Sequence, residues 1–296
     1  MQKSEFALFF ARFFFRNTCI LCGGTKVFLQ SAISRNRKDV FIMKLGAQLY
    51  SLRTFAQTPE DLRTTIEKCK AMGYQNVQFS GVAQMGADVW AQISKETGME
   101  IVCTHNAFDR IVNDTDALIA EHKIFGCSVI GIGSMPNEFR GSRAALEKFF
   151  EVMEEPVKKI EAAGMHFAYH NHAFEFEPFS DAEGCAMDAL IEKKNWFLIL
   201  DTGWVNFAGK NAAEYIERIG GERLQCIHFK EFQKAEVSTI CPCGEGFSNF
   251  PEIIAACEKV GVKNALVEQD NAPSKEDPFN EMERSANYLL PLIAKE

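Results

Sequence analysis

From Met43 onward the chain alternates short apolar runs with longer stretches in which apolar residues recur every three to four positions. Such an alternation predicts strand, helix, strand, helix. The strands are expected at 45–50, 76–79, 100–104, 128–132, 165–169, 197–201, 224–229 and 265–268. Helical periodicity follows them at 59–72, 89–97, 114–125, 142–163, 181–193, 212–219, after 248–252, and at 278–294. Gly73, Gly126 and Gly164 supply helix stops, while Ser248-Asn249-Phe250-Pro251-Glu252 opens the seventh helix with a capping side chain and a proline in its first turn. Eight such units predict a single closed (β/α)8 barrel, whose chemistry sits at the C-terminal ends of its strands. An open doubly wound sheet would need a glycine fingerprint after the first strand, and Gly46 with its neighbours does not supply one.

Composition changes the picture only at the N-terminus. The 296 residues carry a net charge of −8, but residues 1–42 hold seven Lys or Arg against Glu5 and Asp39, so this leader is +5 and the remainder −13. It also holds eight of the 26 Phe. Arg12 and Arg16 interrupt its apolar run, which falls short of the roughly 18 apolar residues of a membrane span. We read residues 1–42 as an N-terminal extension, disordered or the product of a misplaced start, and 43–296 as the catalytic barrel; a secretory signal is the lesser reading. The expected location is cytoplasmic, with no membrane partner. The ten Cys then imply free thiols rather than disulfides. Cys19-x-x-Cys22 with Cys241-Pro242-Cys243 is too weak a pattern to claim as a zinc site.

Four apolar runs close on polar clusters: Tyr169-His170-Asn171-His172, Leu200-Asp201-Thr202-Gly203-Trp204, Ile227-His228-Phe229-Lys230-Glu231 and Val267-Glu268-Gln269-Asp270. Two imidazoles and two carboxylates at successive strand ends suggest one metal site. The competing reading is a structural ion pair. Yet an acid that ends a wholly apolar strand must find a cation or several donors, which favours metal at Asp201 and Glu268. Gln78 and His105 point to the same mouth as candidate hydroxyl contacts, whereas His122 and His166 are expected on the surface. The Gly244-Glu245-Gly246 pattern is weak evidence for a phosphate cradle.

With Phe174-Glu175-Phe176 and Gly244-Glu245-Gly246 added, these motifs resemble the sugar phosphate isomerase/epimerase family, which has a xylose isomerase-like TIM barrel. The resemblance spans residues 43–296. It implies a divalent metal held by His170, Asp201, His228 and Glu268, with Mn, Co, Fe or Zn suited to the mixed donors and Mg also in range. It further implies removal of a proton next to a sugar carbonyl, with Glu268 as base and an enediolate stabilised by the metal. Two positions depart from the keto-sugar 3-epimerases of that family: His170 stands where they usually have Glu, and Trp204 where they have His. The opposite substrate face then falls to His170, His172 or Glu175, while Trp204 is free to stack on a sugar and Lys230 to bind its oxygens.

The expected function is therefore a metal-dependent sugar isomerase or epimerase. The alternatives are a lyase or dehydratase on a keto-sugar or 3-keto-glycoside, resembling inosose dehydratase, and a sugar-binding barrel without catalysis. An endonuclease IV-type role would require a basic footprint, and the −13 barrel region argues against a nucleic-acid partner. Homo-oligomerisation is left open.

Overall fold

The computed structural model of this chain describes residues 43–294. Its strands are β1 (Lys44–Gln48), β2 (Asn76–Phe79), β3 (Glu100–Asn106), β4 (Val129–Ile132), β5 (His166–His170), β6 (Phe197–Asp201), β7 (Leu224–Phe229), β8 (Glu231–Phe232), β9 (Ile240–Cys241) and β10 (Asn264–Val267). Eight of them form a closed parallel barrel in the order β1-β10-β7-β6-β5-β4-β3-β2, and β8 pairs with β9 in a small antiparallel hairpin. Pairing of Leu45 with Ala265 and of Ala47 with Val267 closes the ring. The helices are α1 (Pro59–Ala71), α2 (Ala87–Thr97), α3 (Phe108–Asn113), α4 (Thr115–Phe125), α5 (Arg143–Ala162), α6 (Ala186–Glu192), α7 (Thr202–Phe207), α8 (Ala212–Ile219), α9 (Phe250–Val260) and α10 (Pro278–Ile293). The predicted (β/α)8 barrel is the observed fold, and among the described residues no helix is long and apolar enough to cross a membrane.

Parallel strands must be covered on both faces, which is why β2 and β4 are buried at every position. Between α5 and the barrel, Trp196 meets Phe149, Phe150 and Phe167 edge-on at centroid separations of 5.7, 5.1 and 4.8 Å. Such T-shaped contacts add to the area these rings bury.

Several boundaries differ from expectation for local reasons. β1 stops at Gln48 because its side chain accepts from the Tyr50 N–H at 2.6 Å and turns the chain into a 3-10 segment, Leu49–Phe55. The helix expected from 181 begins at Ala186 as α6, since Phe179 N–H bonds Gly184 O and ties the intervening residues into a turn. The Thr202–Phe207 helix was not expected; Asp201 caps it by accepting from Trp204 N–H at 3.0 Å. His122 is a correction, being buried rather than on the surface, with its ring between Thr104 Oγ1 and Leu118 O, each at 2.7 Å. The expectations for residues 1–42 and for Cys19 and Cys22 lie outside the described residues.

Trp196→Ala should cost about 3–5 kcal/mol of unfolding free energy, because the three aromatic side chains around it cannot close over the space it leaves. Urea denaturation measures this, and a loss under about 1 kcal/mol would mean the cluster is not a packed core.

Candidate metal centre

His170, Asp201 and His228 lie at or near the ends of β5, β6 and β7, and Glu268 follows β10, so barrel closure gathers all four at the mouth. One donor atom from each lies within 4.8 Å of the others, and all four residues are buried. Hydrogen bonding decides which imidazole nitrogens face inward. His170 Nδ1 is 2.9 Å from the Gly133 carbonyl, which can only accept; Nδ1–H therefore donates, and in the neutral ring the Nε2 lone pair points to Asp201 Oδ2 at 3.4 Å and Glu268 Oε2 at 3.7 Å. His228 Nε2 donates to Gln78 Oε1 at 2.6 Å, which leaves its Nδ1 lone pair 2.9 Å from Glu268 Oε2 and 3.8 Å from Asp201 Oδ2. Neutral imidazole lone pairs repel the carboxylate oxygens they face, and a cation seated among all four donors would relieve that repulsion. Two imidazole and two carboxylate donors fit a divalent transition ion such as Mn, Co, Fe or Zn better than Mg, which prefers oxygen alone.

Neighbouring groups hold these donors in place. Gln48 Nε2 donates to Glu268 Oε1 at 2.6 Å, and Asn171 Oδ1 accepts from the Asp201 backbone N–H at 3.0 Å. Asp201 divides its oxygens, Oδ1 capping α7 while Oδ2 faces the imidazoles. Gly203 lets that helix approach β7: a Cβ there would lie 2.6 Å from the Lys230 carbonyl oxygen. Such outer contacts fix ligand geometry as surely as the ligands themselves.

Lys230, 1% exposed, places its ammonium 3.1 Å from Asp201 Oδ2, 3.1 Å from Glu268 Oε2 and 2.9 Å from Asp270 Oδ2. Burial alone would lower its pKa, but Asp201, Asp270 and Glu268 hold it well above the ordinary lysine value. Burial likewise opposes ionisation of Glu268, yet Lys230 and His228 keep that carboxyl well below the usual range. Burial dominates at the neighbouring imidazoles: His172 is pushed down to about 3 and His105 well below its ordinary value, so both are neutral at pH 7.

A cavity of about 500 Å³ opens above the four donors, lined by His105, His170, His172, Lys230 and Glu268, and also by Tyr50, Arg53, Ser80, Asn106, Ser134 and Asp270. Its size suits a small polar molecule. His105 Nε2 and His172 Nδ1 are buried without a hydrogen-bond partner. Other expected site residues stand elsewhere. Gln78 is fully buried and serves His228 rather than the cavity. Trp204 packs against Phe207 and Phe232, with Lys230 Nζ 4.9 Å from its ring, and does not line the cavity. Glu175 is also fully buried, accepting from Tyr169 Oη and His172 N–H at 2.7 Å each, so it braces the loop after β5 instead of facing a substrate. Gly246 packs on Glu231 and Phe232, away from the cavity, which removes the weak phosphate-cradle reading.

Sequence reasoning missed Gln48, Arg53 and Asp270. A signal for Asp270 existed: residues two apart in an extended segment share a face, so Glu268 with Asp270, His228 with Lys230, and His170 with His172 form an inner and an outer layer. Gln48 ends a buried strand, the rule that singled out the other donors.

Residues 66–291 match the family model for the xylose isomerase-like TIM barrel. No curated protein matches the sequence. Among solved structures the chain resembles a sugar phosphate isomerase/epimerase from Parabacteroides distasonis, with TM-score 0.71 and 19% identity over 84% of this chain and 99% of that one. It also resembles the IOLI protein solved with a bound zinc atom (TM-score 0.66, 14% identity, 85% and 98% covered). A third likeness is to the probable 3-DHS dehydratase AsbF of Bacillus anthracis, at TM-score 0.64 and 13% identity over 84% and 99%. At such identities the likeness is one of fold.

Glu175 generates a prediction for stability. Burial pushes its carboxyl up to about 7 from an ordinary 4.5. An unfolded chain therefore ionises this group first, and its contribution, full below pH 4.5, is lost as pH rises through about 7. Glu175→Gln should flatten the pH dependence of unfolding free energy across that window by up to about 3 kcal/mol, gaining on the parent as pH rises. Urea titrations at the two ends of the window, in chelator, measure it. Parallel pH profiles would mean that Glu175 ionises as an ordinary surface glutamate.

Proposed function

The chain belongs to the xylose isomerase-like TIM barrel family, and from that premise we propose that it is a metal-dependent isomerase or epimerase acting on an unidentified sugar or sugar derivative. The observation that carries this reading is the convergence of four buried donors beneath a cavity lined with hydrogen-bonding side chains. His170, Asp201, His228 and Glu268 would hold the ion. A divalent ion there supplies Lewis acidity, lowering the cost of removing a proton next to a carbonyl.

The remaining chemistry falls to the protein. Glu268 is the proposed base: its Oε1 is oriented by Gln48 and the residue borders the cavity. A positioned carboxylate of this kind contributes about 10²–10⁴ in rate. Lys230, placed against the same oxygens, can donate to a substrate oxygen as negative charge develops on it. The unpartnered nitrogens of His105 and His172 offer hydroxyl contacts, and the neutral state of both rings suits an uncharged polyol.

A second reading, elimination from a keto-sugar, is favoured by the positions of the acids. Efficient inversion needs a base on each substrate face, yet Glu175 lies outside the cavity and the two acids that border it, Glu268 and Asp270, converge on the one Lys230 ammonium. One strong base suits isomerisation or loss of a β leaving group better than inversion.

Incubation with a panel of keto-sugars and 3-keto-glycosides in heavy water, in the presence of Mn²⁺, tests the proposal by NMR. Deuterium should enter at the carbon next to the carbonyl. Asp201→Ala should lose bound metal and lower exchange by at least about 10²-fold while circular dichroism stays unchanged. An unsaturated product would select elimination, and metal-loaded protein that binds sugars without exchange would leave a non-catalytic barrel.

A further inference from the structure

Lys230 and Asp270 add charge to the four-donor cluster without being needed as donors. The two oxygens that the Lys230 ammonium contacts, Asp201 Oδ2 and Glu268 Oε2, are the two that the imidazole lone pairs face. An ion seated among the donors would share both oxygens with a fixed ammonium. Its third partner, Asp270 Oδ2 at 2.9 Å, draws the ammonium toward the cavity side. With both imidazoles neutral, as metal donors are, three carboxylates against one ammonium leave two negative charges, which one divalent ion neutralises. Arg53 does not alter that count by direct pairing, since its guanidinium reaches the Asp270 backbone carbonyl and that of Tyr50 rather than a carboxylate.

We propose that the Lys230–Asp270 pair sets the charge, and with it the affinity, of the metal seat. Lys230 holds the carboxylates together when no ion is bound and opposes an ion when one enters; Asp270 restores the attraction that the ammonium removes. The inference rests on the proposed divalent site. In a buried cluster such charges interact far more strongly than on the surface, so each should be visible in binding.

Titration calorimetry with Mn²⁺ at one pH, on metal-free parent, Lys230→Met, Asp270→Asn and the double variant, separates the contributions. Lys230→Met should bind at least about tenfold more tightly, Asp270→Asn at least about tenfold more weakly, and the double variant, with two negative charges again, within about threefold of the parent. Metal-free Lys230→Met should also melt below the metal-free parent, with Mn²⁺ restoring more than it adds to the parent. If Lys230→Met fails to fold, the weakening in Asp270→Asn and its recovery in the double variant still decide the matter. Affinity that falls in both single variants and falls further in the double would overturn the charge-setting role. Failure of the parent itself to bind Mn²⁺, Co²⁺ or Zn²⁺ would instead remove the divalent site on which the inference rests.

Discussion

Two carboxylates buried at the ends of apolar strands, each facing imidazole lone pairs, create the constraint on which the site depends. Removing an ionised carboxylate from water costs several kcal/mol even after relaxation, and only a nearby cation with satisfied hydrogen bonds offsets it. Asp201 and Glu268 meet that requirement through Lys230, with Gln48 and the Trp204 amide donating to their other oxygens. The barrel supplies this arrangement by geometry, since strands far apart in sequence deliver their ends to one ring.

The constraint also shapes the cavity. Strand alternation places His170, His228 and Glu268 in a lower layer and His172, Lys230 and Asp270 above them, so the groups nearest a ligand stand on those that would hold an ion. Glu175 and Gln78 are withdrawn behind this double layer, where each fixes a member of it: Glu175 the His172 backbone, and Gln78 the His228 ring. Two residues expected to meet substrate thus hold members of the proposed site in place.

Much of this was legible in the sequence, because strand and helix periods differ and because an acid closing an apolar run is rare without purpose. The fold and the four-donor set could be read from those signals and the family resemblance they carried. Side-chain direction could not be read. Glu175 and Trp204 lie close in sequence to His170 and Asp201, but a 3-10 turn at Phe174–Phe176 and the α7 helix rotate them away from the cavity. His122 looked solvated within a polar helix, yet its ring is buried against Thr104 of the preceding strand β3, a contact that no helical pattern reveals. Asp270 was present in the quoted motif; its role emerges only from the closeness of Lys230.

We propose that four strand-end side chains form one divalent site with two nitrogen and two carboxylate donors. X-ray absorption on protein loaded with one equivalent of Zn²⁺ tests it most directly. One retained ion per chain is expected, with imidazole scattering from two histidines, oxygen neighbours, and no sulfur in the inner sphere, all lost together in Asp201→Ala. An ion held by sulfur, or a protein that retains none, would contradict it.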